Sequence, residues 1–359
     1  MAVHFHPLKI KNIKKETEDC VSISFDIPEP LIAEFQYKEG QNITIKKNIN
    51  GQEIRRSYSI CSAPHENELR IAVKKIEGGL FSRYASHDLK VGDEVEVLPP
   101  TGKFNAKVTA DTKGNYLALA SGSGITPIIS IIKHTLLSQT ESSFTLIYNN
   151  KTRSSIIFFE ELEGLKNKFM ERFNLINILS REKTDAEINY GRINAEKLDA
   201  LQHLVHYRDF NSIYLCGPEE MIFAASSYFQ NLGILKSNIH FELFTTPGQA
   251  IGKKEYVIKN DTGPGEKSLV SVKLDGRTIE FSLAYTGQSI LDAALQSGAD
   301  LPYACKGGVC ASCRARLVNG KVEMDVNYAL EEEEVNQGFI LACQSHPRTE
   351  KVMVDFDIK

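Results

Sequence analysis

Hydrophobic and polar positions divide the chain into three regions, and the first of them is rich in short strands. Apolar runs alternate with polar residues at residues 21–27, 42–46, 56–61, 69–76 and 94–98. Glycine and proline punctuate these runs, most densely at Pro99-Pro100-Thr101-Gly102. Short strands with close turns are typical of an antiparallel barrel or sandwich. We therefore predict a β-barrel domain over residues 1–105.

The second region, residues 106–246, alternates buried strands with helices. Strand-like runs lie at residues 116–120, 144–148, 174–179, 213–216 and 239–244, and helical periodicity lies at 125–137, 158–168, 195–202 and 219–232. This alternation predicts a parallel, doubly wound α/β sheet. Residues 247–267 are rich in glycine, lysine and polar residues, which predicts an interdomain linker.

The third region, residues 268–359, predicts a smaller α+β domain. Two strand-like runs flank Asp275-Gly276, a dipeptide typical of hairpin turns, and a helix is predicted at residues 290–296. The total length of 359 residues fits two or three domains.

Composition and charge narrow the class of protein. Hydrophobic residues make up 42% of the chain and charged residues 25%, which is typical of a soluble globular protein. A net charge of −4 argues against a nucleic-acid binder. The sequence has neither a long apolar run for a membrane span nor, in residues 1–11, the apolar core of a secretion signal. We therefore expect a cytoplasmic protein that binds neither nucleic acid nor membrane.

Four of the seven cysteines carry the clearest chemical pattern. They are Cys305, Cys310, Cys313 and Cys343. The first three are spaced C-x4-C-x2-C and the fourth lies downstream, which is the plant-type pattern for a [2Fe–2S] cluster. Gly307 and Gly308 would let the backbone approach the cluster and point N–H groups at its sulfur atoms. The alternatives are a zinc site, which usually takes two C-x2-C pairs where this sequence has one, or buried thiols.

Two motifs in the barrel region could hold a flavin. Arg56-Ser57-Tyr58-Ser59 offers a cation, two hydroxyls and a flat ring, although an ordinary exposed strand would also explain it. Farther on, Gly78-Gly79-Leu80-Phe81-Ser82 can supply backbone N–H groups to a pyrophosphate.

Two motifs in the α/β region could hold a nucleotide. A predicted strand runs into a helix through Ser121-Gly122-Ser123-Gly124-Ile125-Thr126-Pro127, where helix N-terminal amides suit a pyrophosphate. Pro127 replaces the third glycine of the usual pattern, and a simple tight turn is the alternative. Ser180-Arg181-Glu182 follows another strand and offers a hydroxyl and a guanidinium to a ribose 2′-phosphate, with Arg192 as a second cation. A solvated loop is the alternative, and the nearby Glu182 leaves NADH open.

In this order the motifs resemble those of the ferredoxin–NADP reductase superfamily, followed by a plant-type ferredoxin with a β-grasp fold. The resemblance implies FAD, NADPH and a [2Fe–2S] cluster as cofactors. It assigns the FAD pyrophosphate to Arg56, Gly79 and Ser82, the isoalloxazine ring to Tyr58, and the flavin N5 to Ser59. Further cofactor contacts implied by the resemblance are Ser57, Val73, Lys74, Leu80 and Phe81.

For the nucleotide, the resemblance implies a site at the Gly-x-Gly-x-x-Pro turn. Thr126 would lie near the nicotinamide. The Cys216-Gly217-Pro218 turn would bring Cys216 to the nicotinamide C4, although Cys216 could instead be a buried free thiol. Phe244 would cover the flavin, with Glu242 beside it. The implied catalytic residues are Ser59, Thr126 and Cys216. The implied cofactor-binding residues of this domain are Gly122, Gly124, Thr126, Pro127, Ser180, Arg181, Cys216, Gly217, Pro218 and Phe244.

The order of the modules resembles that of reductase components of multicomponent oxygenases, in particular the reductase subunits of phenylacetyl-CoA epoxygenases. His6-Pro7-Leu8, the turn at residues 99–104 and the closing residues 354–358 carry this likeness. It implies that NADPH electrons pass through FAD and the cluster to a di-iron, multi-subunit oxygenase component. The alternatives are reductases of other oxygenases, steroid hydroxylases or desaturases, or a general electron-transfer flavoprotein. A non-enzymatic iron–sulfur scaffold would leave the flavin and nucleotide motifs unexplained.

Charged residues near the cluster motif suggest where such a partner would bind. Lys306, Arg314 and Arg316 adjoin the motif, and four consecutive glutamates occupy residues 331–334. We interpret the glutamates as a solvated helix face, with partner docking as the alternative.

Overall fold

The first six strands form an antiparallel sheet that closes on itself in the computed structural model, which describes residues 4–105, 113–244 and 267–358. The strands are β1 (His6–Thr17), β2 (Cys20–Asp26), β3 (Asn42–Ile49), β4 (Gln52–Ser59), β5 (Leu69–Lys74) and β6 (Glu94–Thr101), and helix α1 (Leu80–His87) lies between β5 and β6. Their order is β4-β3-β6-β1-β2-β5, and an antiparallel bridge from Ile60 to Ile71 joins the two ends. The closed sheet surrounds an apolar core, as a barrel does.

Two features of this barrel differ from the sequence-based expectations. Strand β1, with twelve residues, was not predicted, because register shifts between Ile10 and Asn12 and again near its end interrupt the alternation of apolar residues. Pro99 and Pro100 lie inside β6, although they were interpreted as a turn. At Pro99 and Pro100, β6 no longer pairs with β1, and its pairing with β3 shifts register. Neither strand therefore needs a hydrogen bond from the N–H groups that proline lacks.

The second sheet is parallel, as predicted, and has helices packed on both faces. Its strands are β7 (Asn115–Ser121), β8 (Ser143–Asn150), β9 (Phe173–Leu179), β10 (Ser212–Cys216) and β11 (Ile239–Glu242). The helices are α2 (Ile125–Ser138), α3 (Phe159–Lys168), α4 (Ala195–Leu201) and α5 (Glu219–Asn231). The order β11-β10-β7-β8-β9 reverses direction at the β10–β7 pair, and such a reversal opens a crevice at the carboxyl ends of the strands.

The third sheet is mixed and is crossed by a helix. It contains β12 (Lys267–Leu274), β13 (Arg277–Ala284), β14 (Arg314–Asn319), β16 (Phe339–Leu341) and β18 (Lys351–Asp355). Strands β15 (Val322–Met324) and β17 (Ser345–Pro347) form a small second sheet, and the helices are α6 (Ile290–Gln296) and α7 (Glu332–Asn336). Parallel pairing of β12 with β18 between antiparallel neighbours, with α6 in the core, gives the expected β-grasp arrangement.

A buried ion network joins the barrel to the parallel sheet. The Lys133 ammonium, on α2, lies 2.6 Å from a Glu66 carboxylate oxygen in the barrel and 2.9 Å from a Glu161 oxygen on α3. Arg70 of the barrel also contacts Glu161, at 2.9 Å. The Lys133 side chain is only 3% exposed, so this network is a buried contact between the two domains.

The predicted linker lies outside the described residues, apart from residue 267, which begins β12. Among the described helices none is long and apolar enough to span a membrane.

Candidate functional site

The two nucleotide turns of the parallel sheet lie side by side at its crevice. Strand β7 leads into the Gly122–Gly124 turn, and its neighbour β10 ends at Cys216 before Gly217. A Cβ atom on Gly124 would collide with the Cys216 carbonyl oxygen, so the turn needs glycine at that position. Helix α2 begins at Ile125, which leaves its first amides without acceptors inside the helix. These amides can bind a pyrophosphate.

A cleft of about 770 Å³ opens from these turns. Among the described residues it is lined by the predicted nucleotide residues Ser121, Gly122, Ser123, Gly124, Ser180, Arg181, Arg192, Gly217, Pro218 and Phe244, together with Lys74. Lys151 adds a further cation, and Glu220 is the one carboxylate among the lining residues described. The excess of cations suits a ligand with several phosphates.

Glu182, the residue that left NADH open as an alternative to NADPH, binds a backbone group outside the cleft. Its carboxylate accepts a hydrogen bond from the Arg153 backbone N–H at 2.8 Å, and it borders a different groove. Arg181 and Arg192 remain exposed at the cleft. The charge that a ribose 2′-hydroxyl would meet here is therefore positive rather than negative.

Two predicted flavin-side residues, Ser59 and Glu242, meet where the barrel and the parallel sheet touch, and Cys216, predicted for the nicotinamide, neighbours Glu242. Ser59 Oγ, at the end of β4, donates a 2.9 Å hydrogen bond to the Glu242 carboxylate at the end of β11. Burial raises the pKa of Glu242 to about 7, against the opposing effect of the Ser59 hydrogen bond. Burial also raises the pKa of the Cys216 thiol, and the nearby Glu242 raises it further. Glu242 thus binds the Ser59 hydroxyl and is also the neighbour of the neutral Cys216 thiol in the β10–β11 pair.

Thr126 and Pro127 lie in the buried first turn of α2. Thr126 Oγ1 donates to the Ser123 carbonyl oxygen at 3.0 Å, so this side chain stabilises the turn itself. Phe244 is 42% exposed at the mouth of the cleft, a position from which an aromatic ring can cover a bound ring system. The catalytic roles of Ser59, Thr126 and Cys216 stay predictions.

The barrel motifs fit a flavin dinucleotide in part. Arg56 is exposed, and Tyr58 is half-buried with its ring centroid 5.5 Å from that of Phe81. Gly78 has a φ of +71° and faces open space, and α1 begins at Leu80, so the amides of its first turn are available to a pyrophosphate.

Four other predicted flavin contacts are engaged within the protein. The side chains of Val73 and Phe81 lie in the barrel core, so a cofactor would meet only their backbone. Ser82 Oγ donates to the Gly79 carbonyl oxygen and accepts from the Ile76 N–H, both at 3.2 Å. Ser57 Oγ donates to the Asn42 amide oxygen at 2.7 Å.

The four predicted cluster ligands form two pairs of neighbouring thiols. Cys305 interacts with Cys310, and Cys313 with Cys343, through contacts that lower the pKa of the first and last members. Each iron of a [2Fe–2S] cluster binds two cysteines, so two cysteine pairs match what the cluster requires. Among the described residues, no three histidine, cysteine, aspartate or glutamate side chains are placed to bind a single metal ion.

Backbone amides around the cysteine loop point toward sulfur. The Gly307 N–H lies 3.3 Å from Cys305 Sγ, and the amides of Val309 and Cys310 also lower the Cys305 pKa. Gly308 has a φ of +76°, a conformation that favours glycine, and its amide bonds to Cys343. These amides stabilise the thiolates of Cys305 and Cys343, whereas the neighbouring cysteines and burial raise the pKa of Cys310 and Cys313. Amides that point at sulfur fit the cluster, which would be held by the four cysteines.

The cysteine loop lies against the barrel strands that carry the flavin motif. Ser312 Oγ, between two cluster cysteines, is 2.9 Å from Thr44 Oγ1 on β3, and Thr44 pairs in register with Ser57 on β4. A cavity of about 130 Å³ between the domains is lined by both Glu242 and Cys310. Cys305, in contrast, is exposed. One side of the loop therefore faces the residues predicted to bind the flavin, and the other faces solvent.

Sequence reasoning missed the residues that fasten the cysteine loop to the barrel. Arg55 is only 7% exposed, donates to the Leu301 carbonyl oxygen at 3.1 Å and lies 4.2 Å from the Tyr303 ring centroid. Its neighbour Arg56 carried the recognisable motif, and no sequence signal distinguishes Arg55 or Thr44 from ordinary strand residues.

The interpretation of residues 331–334 as a solvated face is wrong for one of the four glutamates. Glu332 and Glu333 are exposed, but the Glu334 side chain is 3% exposed. It lies between two cations, Lys103 and Arg314, because α7 packs toward the barrel.

Comparisons with protein families agree with this three-part architecture. Family models match residues 7–106 as an oxidoreductase FAD-binding domain, 118–227 as an oxidoreductase NAD-binding domain and 272–348 as a 2Fe-2S iron–sulfur cluster binding domain. Among solved structures, phthalate dioxygenase reductase shares the fold across 98% of both chains, with a TM-score of 0.59 and 22% identity. An intact type IV self-sufficient cytochrome P450 monooxygenase matches 98% of this chain and 41% of its own, with a TM-score of 0.69 and 20% identity.

These matches define an oxidoreductase that moves electrons from NAD(P)H through FAD to a [2Fe–2S] cluster. Over 99% of this chain and 98% of the relative, the sequence is 44% identical to a subunit of the 1,2-phenylacetyl-CoA epoxidase from Escherichia coli. It is also 30% identical to the ferredoxin reductase component of 3-ketosteroid-9-alpha-monooxygenase from Rhodococcus rhodochrous, over 97% of this chain and 96% of that one. The chain belongs to the family of ferredoxin reductase-type components of oxygenase systems that includes this part of the epoxidase.

Proposed function

We propose that this chain supplies electrons from NADPH to a di-iron, multi-subunit oxygenase that epoxidises phenylacetyl-CoA. The observation that carries the proposal is the 44% identity with the epoxidase component over nearly the full length of both chains. The more distant 3-ketosteroid reductases share the same modules at 30–32% identity, so the modules alone do not select the acceptor. We further propose that the protein works in the cytoplasm, where NADPH and acyl-CoA compounds meet.

The residues of the chain divide the work between its domains. When bound, FAD would accept a hydride from the nicotinamide and release electrons singly to the [2Fe–2S] cluster. We assign Ser59 and Cys216 to the two sides of the hydride-transfer site, with Glu242 orienting the Ser59 hydroxyl through their 2.9 Å hydrogen bond. Thr126 stabilises the turn that presents helix amides to the pyrophosphate. Phe244, at the cleft mouth, excludes water from the reacting rings.

The preference for NADPH rests on the charges at the cleft. Arg181 and Arg192 line it, and the carboxylate of Glu182 is bound to the Arg153 amide instead of facing a ribose. A guanidinium binds a phosphate strongly, whereas it gains little from a neutral 2′-hydroxyl.

Reconstitution tests the proposed acceptor directly. The purified chain is combined with the oxygenase subunits of the Escherichia coli epoxidase, phenylacetyl-CoA and either NADPH or NADH, and epoxide formation is measured. We expect product formation coupled to NADPH oxidation, and faster turnover with NADPH than with NADH.

A 3-ketosteroid monooxygenase with its own substrate serves as the control acceptor. Equal or faster turnover with that control would show that the chain is a reductase for another oxygenase. Rapid oxidation of NADPH with phenylacetyl-CoA in the absence of an oxygenase would refute the role as a reductase component.

A further inference from the structure

We propose that Glu334 is a positioning residue for electron transfer within the chain. Together with Lys103 it holds the cysteine loop of the β-grasp domain against the flavin-binding barrel. This inference rests on the proposed passage of electrons from flavin to cluster and identifies what fixes the distance between them. It also reassigns part of the acidic run at residues 331–334, which we interpreted from the sequence as a solvated helix face, with partner docking as the alternative.

The Glu334 carboxylate is fully engaged although it belongs to a run of four glutamates. Its Oε1 atom lies 3.0 Å from Lys103 Nζ and 2.9 Å from Arg314 Nε. Its Oε2 atom accepts the Glu331 N–H at 3.1 Å. With the side chain 3% exposed, both oxygens have lost water and bind protein groups instead.

The two cations belong to different domains. Lys103 follows the barrel strand β6, whereas Arg314 begins β14, one residue after the cluster cysteine Cys313. Glu334 therefore connects the barrel to the residue next to a cluster ligand. Glu334 is buried, although the Lys103 side chain is 48% exposed. A buried carboxylate gains little net stability from its ion pairs, because desolvation offsets their attraction, but removing a partner is costly. A pair of this kind is better suited to fixing one arrangement of two domains than to stabilising either domain.

Other contacts across the same interface explain why the position matters. Thr44 bonds to Ser312 inside the cysteine loop, and Arg55 bonds to the Leu301 carbonyl oxygen before it. The Glu334–Lys103 pair supplies a further contact, on the side of the cysteine loop next to Arg314. His4 also contacts Asp275 of the β-grasp domain, and Val309 and Tyr328 pack against the core of the parallel sheet. Of these contacts, the Glu334–Lys103 pair ties the strand that follows Cys313 to the barrel, so without it we expect that side of the cysteine loop to shift relative to the flavin site.

The chain offers a matched set of variants for the test. Glu334→Gln removes the charge that both cations bind. Lys103→Gln removes only the contact across the interface and leaves the Glu334–Arg314 pair inside the β-grasp domain. Glu332→Gln and Glu333→Gln make the same chemical change on the exposed side of α7 and serve as controls.

The first measurement separates the two electron-transfer steps in the loaded protein. Rapid mixing with NADPH follows flavin bleaching and cluster bleaching at their own wavelengths. We expect Glu334→Gln and Lys103→Gln to keep the wild-type rate of flavin reduction. Cluster reduction should slow several-fold, since the rate of electron transfer falls as the distance between flavin and cluster grows. The two control variants should match the wild type in both steps.

The second measurement reports domain position without any turnover. Spin labels are placed at Val91→Cys on the barrel and Val318→Cys on β14, both exposed positions, and their distance distribution is measured with the cluster oxidised. We expect one narrow distribution in the wild type and the controls, and a broader or shifted one in Glu334→Gln and Lys103→Gln.

The outcomes separate this inference from the proposed function. Wild-type cluster reduction rates and narrow distances in both Glu334→Gln and Lys103→Gln would overturn the positioning role. If Glu334→Gln loses its cluster through misfolding, Lys103→Gln decides alone. A wild-type protein whose cluster NADPH never reduces would instead refute the electron path on which the inference rests.

Discussion

Replacing Lys133 with methionine tests the ion network that joins the barrel to the parallel sheet. Methionine keeps an unbranched apolar side chain, one heavy atom shorter than that of lysine, and removes the charge, so Glu66 and Glu161 lose their shared cation. Both contacts are short, at 2.6 and 2.9 Å, and the lysine side chain is 3% exposed. The variant thus leaves two carboxylates near a site that has little access to water.

The magnitude follows from what remains around each carboxylate. Removing one partner of a buried ion pair costs about 3–5 kcal/mol. Arg70 still contacts Glu161, and the Glu66 side chain is 30% exposed and can recover some hydration. We therefore expect the lower end of that range, about 3 kcal/mol. For domains of this combined size this corresponds to a decrease in the melting temperature of about 6–12 °C.

The dependence on pH provides a second check. Burial opposes ionisation of Glu161, but Lys133 and Arg70 outweigh it and lower its pKa below the usual 4.5. A carboxyl with a lowered folded-state pKa stabilises the protein above the unfolded pKa, and this contribution is lost as the pH falls through the folded-state pKa. Lys133→Met reduces that contribution, so the difference from the wild type should be largest above pH 4.5 and should narrow below it.

The assay is thermal unfolding at fixed FAD concentration, followed by the increase in flavin fluorescence as FAD is released. Lys113→Met serves as the control. The Lys113 side chain is 77% exposed, so its ion pair with Glu141 should contribute less than about 1 kcal/mol to stability. A Lys133→Met variant that behaves like this control would refute the argument that the network is a buried interdomain contact.

Three further predictions concern the cofactor sites. Wild-type protein should hold two irons and two labile sulfides, and Cys313→Ser should lose cluster absorbance yet keep NADPH–dye reduction; loss of dye reduction as well would contradict separate modules. Arg181→Ala should raise the KM for NADPH roughly 10- to 150-fold more than the KM for NADH, because the variant loses a charged hydrogen bond to the 2′-phosphate. Equal effects on the two KM values would show that Arg181 does not bind the 2′-phosphate. The Glu242 carboxyl, with its pKa raised from 4.5 to about 7, favours the folded state fully below 4.5 and progressively less as the pH rises to 7. Stability should therefore fall across that window in the wild type but not in Glu242→Gln, and parallel profiles would disprove the raised pKa.

Features that depend on neighbours in sequence could be predicted from the sequence. The cysteine spacing indicated the [2Fe–2S] cluster, because one loop must supply three thiolates at close intervals. The helix predicted at residues 290–296 matches α6 (Ile290–Gln296), whose start is marked by a Ser289 cap. The glycines at 122 and 124 marked a strand-to-helix turn, where Gly122 adopts a φ of +53° that favours glycine. Each of these signals lies in a short stretch of sequence and can be recognised without the rest of the chain.

The tertiary structure decided which groups far apart in sequence became partners. Ser59 and Glu242 are separated by 183 positions, and Thr44 and Ser312 by 268. Four consecutive glutamates have the same hydropathy, so no sequence pattern could single out Glu334, whose burial depends on where the barrel places Lys103. The chain thus encodes its cofactor motifs locally. The relative placement of flavin and cluster arises only when the three domains pack, because the contacts that fix it join residues from different domains.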